Sequence, residues 1–257
     1  MKLSHYSGNC HLNKVLKTFS RQSVSSIVLL LATILIISSL ASAEVRKEYY
    51  PSGKLKSEVN VLDGKKEGIF KLYYESGKLK VERNYKNGKL EGLAKGYYES
   101  GELKGEGNYK NGKREGLVKL YYPSGKLKQD LNYKNDKLEG LQKEYYPSGE
   151  LNFERNYING MQEGIATVYY ESGKLKQSVN FQNGEAEGFG KMYYESGQLW
   201  MEKNFKNGKT EGIAKHYYGT GQLGGESNFK NGKLEGITRR NQVASEQLKV
   251  VEKYTLS

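Results

Sequence analysis

The feature that most constrains this chain is a period. A 24-residue unit is written eight times in succession, without insertion, over residues 49–240 of 257. Tyr pairs open the copies at Tyr49, Tyr73, Tyr97, Tyr121, Tyr145, Tyr169, Tyr193 and Tyr217. Gly follows four residues after each first Tyr, and Leu two residues later. An Asn recurs from Asn60 to Asn228, and a Glu-Gly step from Glu67-Gly68 to Glu235-Gly236. Self-similarity at such a spacing marks a repeat architecture, in which one supersecondary unit buries its apolar side chains against copies of itself.

Each unit carries two turn signals. One is Pro-Ser-Gly or Glu-Ser-Gly, as at Pro51-Ser52-Gly53 and Glu75-Ser76-Gly77. Pro pre-sets the first turn position and Gly supplies positive φ for a type I turn with a bulge. The other is Asn-Gly, as at Asn87-Gly88, which tolerates left-handed backbone. The runs between them have ordinary strand length, and Gly recurs too often for helix. The fold expected is all-β: an elongated, single-layer antiparallel meander of eight hairpins. Composition agrees, because apolar residues make up only 36% of the chain, thin for a two-layer core.

Register decides which side chains share a face. A three-residue Pro-Ser-Gly loop pairs Tyr73 with Leu79 and places Tyr73, Ile69, Leu79 and Tyr85 together. A four-residue loop instead sets Lys71 opposite Glu82, with equivalents such as Lys95/Glu106 and Lys119/Asp130. The three-residue loop is favoured, since it gathers four apolar slots per copy. It predicts an aromatic-lined trough, and a candidate interaction face of Tyr73, Tyr85, Tyr97, Tyr109, Tyr121, Tyr133, Tyr145, Tyr157 and Tyr169.

The ends differ from the middle. Residues 1–22 are polar and basic, residues 25–40 are nearly charge-free and apolar, and Ala41-Ser42-Ala43 precedes Glu44. That is the layout of a secretory signal peptide cut between Ala43 and Glu44, with an uncleaved signal anchor as the rival. Both readings export the repeats to the periplasm, the extracellular space or the outward side of a membrane. The single Cys, Cys10, lies in that leader, so residues 44–257 hold no disulfide. The domains are therefore 1–43, 44–240 and a C-terminal cap at 241–257. The cap is expected to contain a short helix begun by Ser245 and presenting Leu248 and Val251.

With these features in view, Tyr73-Tyr74-Glu75-Ser76-Gly77 and the run Asn84-Tyr85-Lys86-Asn87-Gly88-Lys89-Leu90-Glu91-Gly92 resemble MORN repeats, in the shorter variant of bacterial YwqK-like proteins. Tyr or Phe stands where that family's better-known form has Trp, and Glu91 where it often has His. The resemblance implies an elongated antiparallel sheet serving as an interaction or dimerisation platform, sometimes near lipid. It also implies the antitoxin label given to YwqK-like members. With an export signal, an immunity-like or envelope role fits better than a cytoplasmic antitoxin.

Chemistry is hard to place on identical units. His216 is the one His after the leader, in a slot held elsewhere by Leu72, Gly96 or Met192. The turn glutamates, Glu67 to Glu235, are equivalent, so no unique acid–base pair emerges. Their expected role is to accept hydrogen bonds from turn backbone. No enzyme activity, cofactor or metal site is expected. Residues 1–43 hold Lys2, Lys14, Lys17, Arg21 and no acid, so +8 of the chain's +12 remains on the rest. Lysines in the Asn-Gly turns, such as Lys86 and Lys89, keep an exposed sheet soluble and could meet an anionic membrane or wall. Cell-wall glycan binding would ask for several Trp, and Trp200 stands alone. The partners expected are a protein, a toxin among the candidates, or a second copy; nucleic acid is not expected for an exported chain.

Overall fold

The computed structural model describes residues 43–240 and 249–254, with side chains described over residues 43–235. These residues form one antiparallel sheet of 22 strands joined as a meander, in which each two-residue strand and the strand after it pair with the same preceding strand. The first six set the pattern: β1 (Ala43–Tyr49), β2 (Leu55–Leu62), β3 (Lys65–Tyr73), β4 (Leu79–Lys86), β5 (Lys89–Leu90) and β6 (Gly92–Tyr97).

Both turns form as their residues dictate. Gly77 has φ 89°, and its N–H donates to Tyr74 O at 2.8 Å, closing the three-residue loop. Asn87 and Gly88 have φ 52° and 78°, the double positive φ of a type I′ hairpin turn.

The register reconciles two pairings that looked exclusive. Tyr73 does pair with Leu79, yet Leu72 pairs with Val81 and Lys71 with Glu82. Lys80 is the extra residue of a β-bulge beside the loop. The same shift recurs in all eight copies. A second irregularity follows each Asn-Gly turn. Tyr85 pairs with Leu90 but Glu82 with Lys95, so the strand carrying Glu91-Gly92 is two residues longer than its partner.

The first bulge corrects the expected face. Beyond it, Tyr85 lies with Leu72, Phe70, Val81 and Arg83, on the side opposite Tyr73, Lys71, Ile69, Glu82 and Asn84. The Phe70 and Tyr85 rings meet edge-on at 6.1 Å, as this placement requires. The sheet therefore has a crowded face and an open face.

The core is thin and lies on the crowded face. Among the described residues, Val59, Val61, Leu131, Ala166 and Val179 are its buried apolar side chains, and no large side chain is fully buried. At two crowded-face glycines there is no room for more. A Cβ on Gly107 would sit 2.8 Å from Val118 Cγ2, and one on Gly190 2.7 Å from the Phe205 ring.

Adjacent repeats are also tied by three recurrent hydrogen bonds. Tyr74 Oη donates to Tyr97 O at 2.8 Å, Asn111 N to Glu91 Oε2 at 2.8 Å, and Gly112 N to Leu90 O at 2.8 Å. The glutamates thus accept from turn backbone as the sequence implied. At about 1 kcal/mol net each, such bonds add up along a stack whose stability is a sum over neighbours.

The ends are capped by strands. β1 is exposed throughout, and its Arg46 and Glu48 replace the Phe70 and Leu72 of the next copy, so the crowded face ends in charge. At the other end, residues 249–254 form a strand rather than a helix, and Tyr254 pairs with Gly236 as Phe229 pairs with Gly212. The tail continues the meander by pairing with the strand Gly236–Arg240. The proposed helix start at Ser245 and the leader, residues 1–42, lie outside the described residues.

Candidate interaction surface

The open face is built from four rows crossing the strands. Nearest the Pro-Ser-Gly side stand Tyr73 and its equivalents. Next come pairs such as Lys71 and Glu82. A row of large apolar residues follows, and lysines flank the Asn-Gly turns.

The apolar row is the outstanding feature. Val45, Ile69, Leu93, Leu117, Leu141, Ile165, Phe189 and Ile213 recur every 24 residues, and all are 43–72% exposed. At eight consecutive positions of this period, from Val45 just ahead of the first copy to Ile213 in the seventh, a large apolar side chain is spent on solvent. Scattered exposed apolar residues are ordinary, whereas a contiguous series marks an interaction surface.

The nine tyrosines proposed as one face divide between two. Tyr73, Tyr97, Tyr121, Tyr145 and Tyr169 stand on the open face; Tyr85, Tyr109, Tyr133 and Tyr157 line the crowded one. All nine are half-buried. Tyr73 donates its hydroxyl to Glu58 at 2.7 Å, and Tyr121 and Tyr217 make the same bond to Glu106 and Glu202. Burial, then the Glu58 hydrogen bond and charge with Glu82 nearby, pushes the Tyr73 phenol up to about 12. Tyr121 and Tyr217 are raised for the same reasons, burial first. On the crowded face the Arg114 guanidinium lies 4.0 Å from the Tyr133 ring centroid, and Lys66 covers both Phe70 and Tyr85. These aromatics are structural partners first.

Two further positions resolve. His216 packs edge-on against Tyr218 at 6.4 Å, a packing role for a variable slot. Asp136, which replaces the turn Gly, keeps a positive φ of 67° and accepts hydrogen bonds from Arg114 N and Nε at 3.0 and 2.9 Å. The Arg114 backbone and side-chain bonds hold the Asp136 carboxyl below its usual range.

Among the described residues, no three His, Cys, Asp or Glu side chains converge where a metal ion could be held. A cleft of about 430 Å³ beside β1 is lined by Val45, Asn60, Val61, Glu67 and neighbours, without a nucleophile and base in contact. Ala43 and Glu44, the expected cleavage junction, border it as the first two residues of β1.

A family model described as "MORN repeat variant" matches the chain eight times, at residues 45–63, 66–87, 90–111, 114–135, 138–159, 162–183, 187–207 and 210–238. No curated protein matches the chain. The matched segments fall in step with the hairpins described above.

Proposed function

Because the chain belongs to the MORN repeat variant family, and its sheet holds a row of large apolar side chains in solvent, we propose that it is a non-enzymatic, exported scaffold binding another protein through the open face. The apolar row carries this reading. A monomer gains nothing by exposing eight such residues in register, while a partner that covers them recovers the transfer free energy of each. Export rests on the leader, residues 1–43. The occupant in this reading is a protein, and an immunity-like function, neutralising a toxin, is its specific form.

A second reading, adhesion to an anionic membrane or wall, is favoured by one observation. Lys86, Lys89, Lys110 and Lys113 are exposed side by side along the Asn-Gly edge. It predicts binding that salt abolishes.

Photo-crosslinking separates the faces. p-Benzoylphenylalanine at Leu117, on the open face, should capture a partner in the cell envelope; at the adjacent Val118, on the crowded face, it should not. Capture from Val118 alone, or from neither, contradicts the proposal. For the immunity form, removing the protein from a toxin-bearing strain should arrest growth, and unaffected growth contradicts it.

A further inference from the structure

The open face is not uniform along its length. In five of the eight copies the second turn, Asn-Gly or in one copy Asn135-Asp136, is bracketed by a cross-strand lysine pair: Lys86/Lys89, Lys110/Lys113, Lys134/Lys137, Lys206/Lys209 and Lys230/Lys233. All ten side chains are exposed, and none is among the ion pairs of the described residues. They sit on the same face as the apolar row, because each strand alternates from Asn84 to Lys86.

Three copies depart from this rail: the first keeps one lysine, with Leu62 opposite Lys65, and two adjacent copies lose both. In the fifth, the pair is Ile158 and Met161, which face each other across the turn and are 48% and 49% exposed. In the sixth it is Gln182 and Glu185. The apolar row reaches its greatest exposure at the same two copies, 65% at Ile165 and 72% at Phe189. Lysines on an exposed sheet act as guards against association. Here the guards are removed, by apolar side chains in the fifth copy and by Gln182 and Glu185 in the sixth, where the row stands furthest into solvent.

We propose that Ile158, Met161, Ile165 and Phe189 form the docking focus of the open face, and that its occupant is an acidic protein segment with an apolar centre between two carboxylate clusters. The inference rests on the open face being a protein-binding surface and adds where, and to what chemistry, it binds. Charge decides the occupant. On either side of the focus stand Lys134/Lys137 and Lys206/Lys209, three repeats apart. Six strand spacings make that about 29 Å before twist. A second copy is disfavoured, because a two-fold axis through the focus sets one lysine pair against the other. A membrane of anionic lipid is disfavoured as well. It would gain from an unbroken rail, and the break contains Glu185. A segment whose carboxylates bracket an apolar centre meets both the lysines and the gap.

The test uses a consensus-restoring variant. Ile158→Lys with Met161→Lys installs the pair that five other copies already carry, so the fold is expected to melt as the parent does. The probe is a fluorescent peptide of about 20 residues, long enough as a helix to span about 30 Å, with a Leu/Ile/Phe centre and Glu-rich ends. Controls have Lys-rich ends, or Glu-rich ends around a Ser centre. The acid-flanked apolar peptide should bind the parent about tenfold or more tighter than either control, and lose about that factor on the double variant. Binding to the parent should weaken with salt. Equal binding by parent and variant, or none by either, overturns the inference. Loss on Leu93→Lys/Leu117→Lys, with retention on Ile158→Lys/Met161→Lys, would leave the open face a binding surface while refuting this focus. Capture from Leu117 in the envelope tests the broader reading separately. A dimer in sedimentation that the double variant disperses would overturn the inference in favour of a second copy. Phosphatidylglycerol vesicles that bind parent and variant alike would overturn it in favour of a membrane.

Discussion

The two faces of this sheet invert the usual relation between repetition and burial. On the open face the repeat is strict: the slot of Ile69 holds a large apolar residue in every copy, and from Val45 to Ile213 it remains exposed. On the crowded face it is loose: the slot of Val59 also holds Arg83, Gly107, Leu131, Arg155, Val179, Lys203 and Ser227, yet the buried residues come from there. A thin core tolerates variation because each side chain is fitted to its immediate neighbours; Gly107 faces Val118, and Gly190 leaves room for Phe205. A series held regular without being buried has a use outside the fold.

The largest expected effect would break this contrast outright. Val179→Asp places an unpaired carboxylate among Ala166 and Gly190, and should cost about 3 kcal/mol in denaturant unfolding. Ile165→Asp, on the open face, should stay within about 0.5 kcal/mol. Similar losses from both would erase the distinction. Next in size, Gly190→Leu forces a side chain against Phe205 and should cost about 1–3 kcal/mol by overpacking. A melting temperature unchanged by that substitution would show that the crowded face has slack.

Smaller effects lie at the repeat junctions, which join the faces into one body. Tyr98→Phe removes the bond from Tyr98 Oη to Tyr121 O, and should cost about 1 kcal/mol. Its effect should add to that of a change several repeats away, as Tyr170→Phe, when unfolding is followed by circular dichroism.

The sequence disclosed the unit, the hairpins, both turn types and the role of the turn glutamates, because each rests on local backbone chemistry. It did not disclose the faces. Tyr73/Leu79 and Lys71/Glu82 read as alternatives, whereas both pairings form around Lys80. A bulge of one residue leaves no mark in composition, yet moves Tyr85 to the other side. The nine tyrosines were thus legible as aromatic slots and illegible as a surface. Tyr254 shows the reverse: outside the repeat by sequence, it enters the register by pairing with Gly236. The break at Ile158 and Met161 is visible in the aligned copies, but acquires meaning only once those slots are known to share a face with Ile165.

The smallest expected effect concerns protons. The Tyr73 phenol is raised to about 12 from an ordinary value near 10, so the folded state holds its proton where the unfolded chain releases it. That stability is complete below the unfolded value and is lost as pH rises through the folded one. In an ultraviolet titration, Tyr73→Phe should remove a late-ionising phenol; removal of an early one would place Tyr73 in open solvent.

The faces themselves can be read from two neighbouring residues. In a protein beginning at Glu44, which lacks Cys10, single cysteines at Ile165 and Ala166 would be labelled with a maleimide under native conditions. Labelling of the cysteine at 165 near the unfolded rate, with protection at 166, is the expected result. Protection at 165 with rapid labelling at 166 would contradict the assignment of the exposed apolar row.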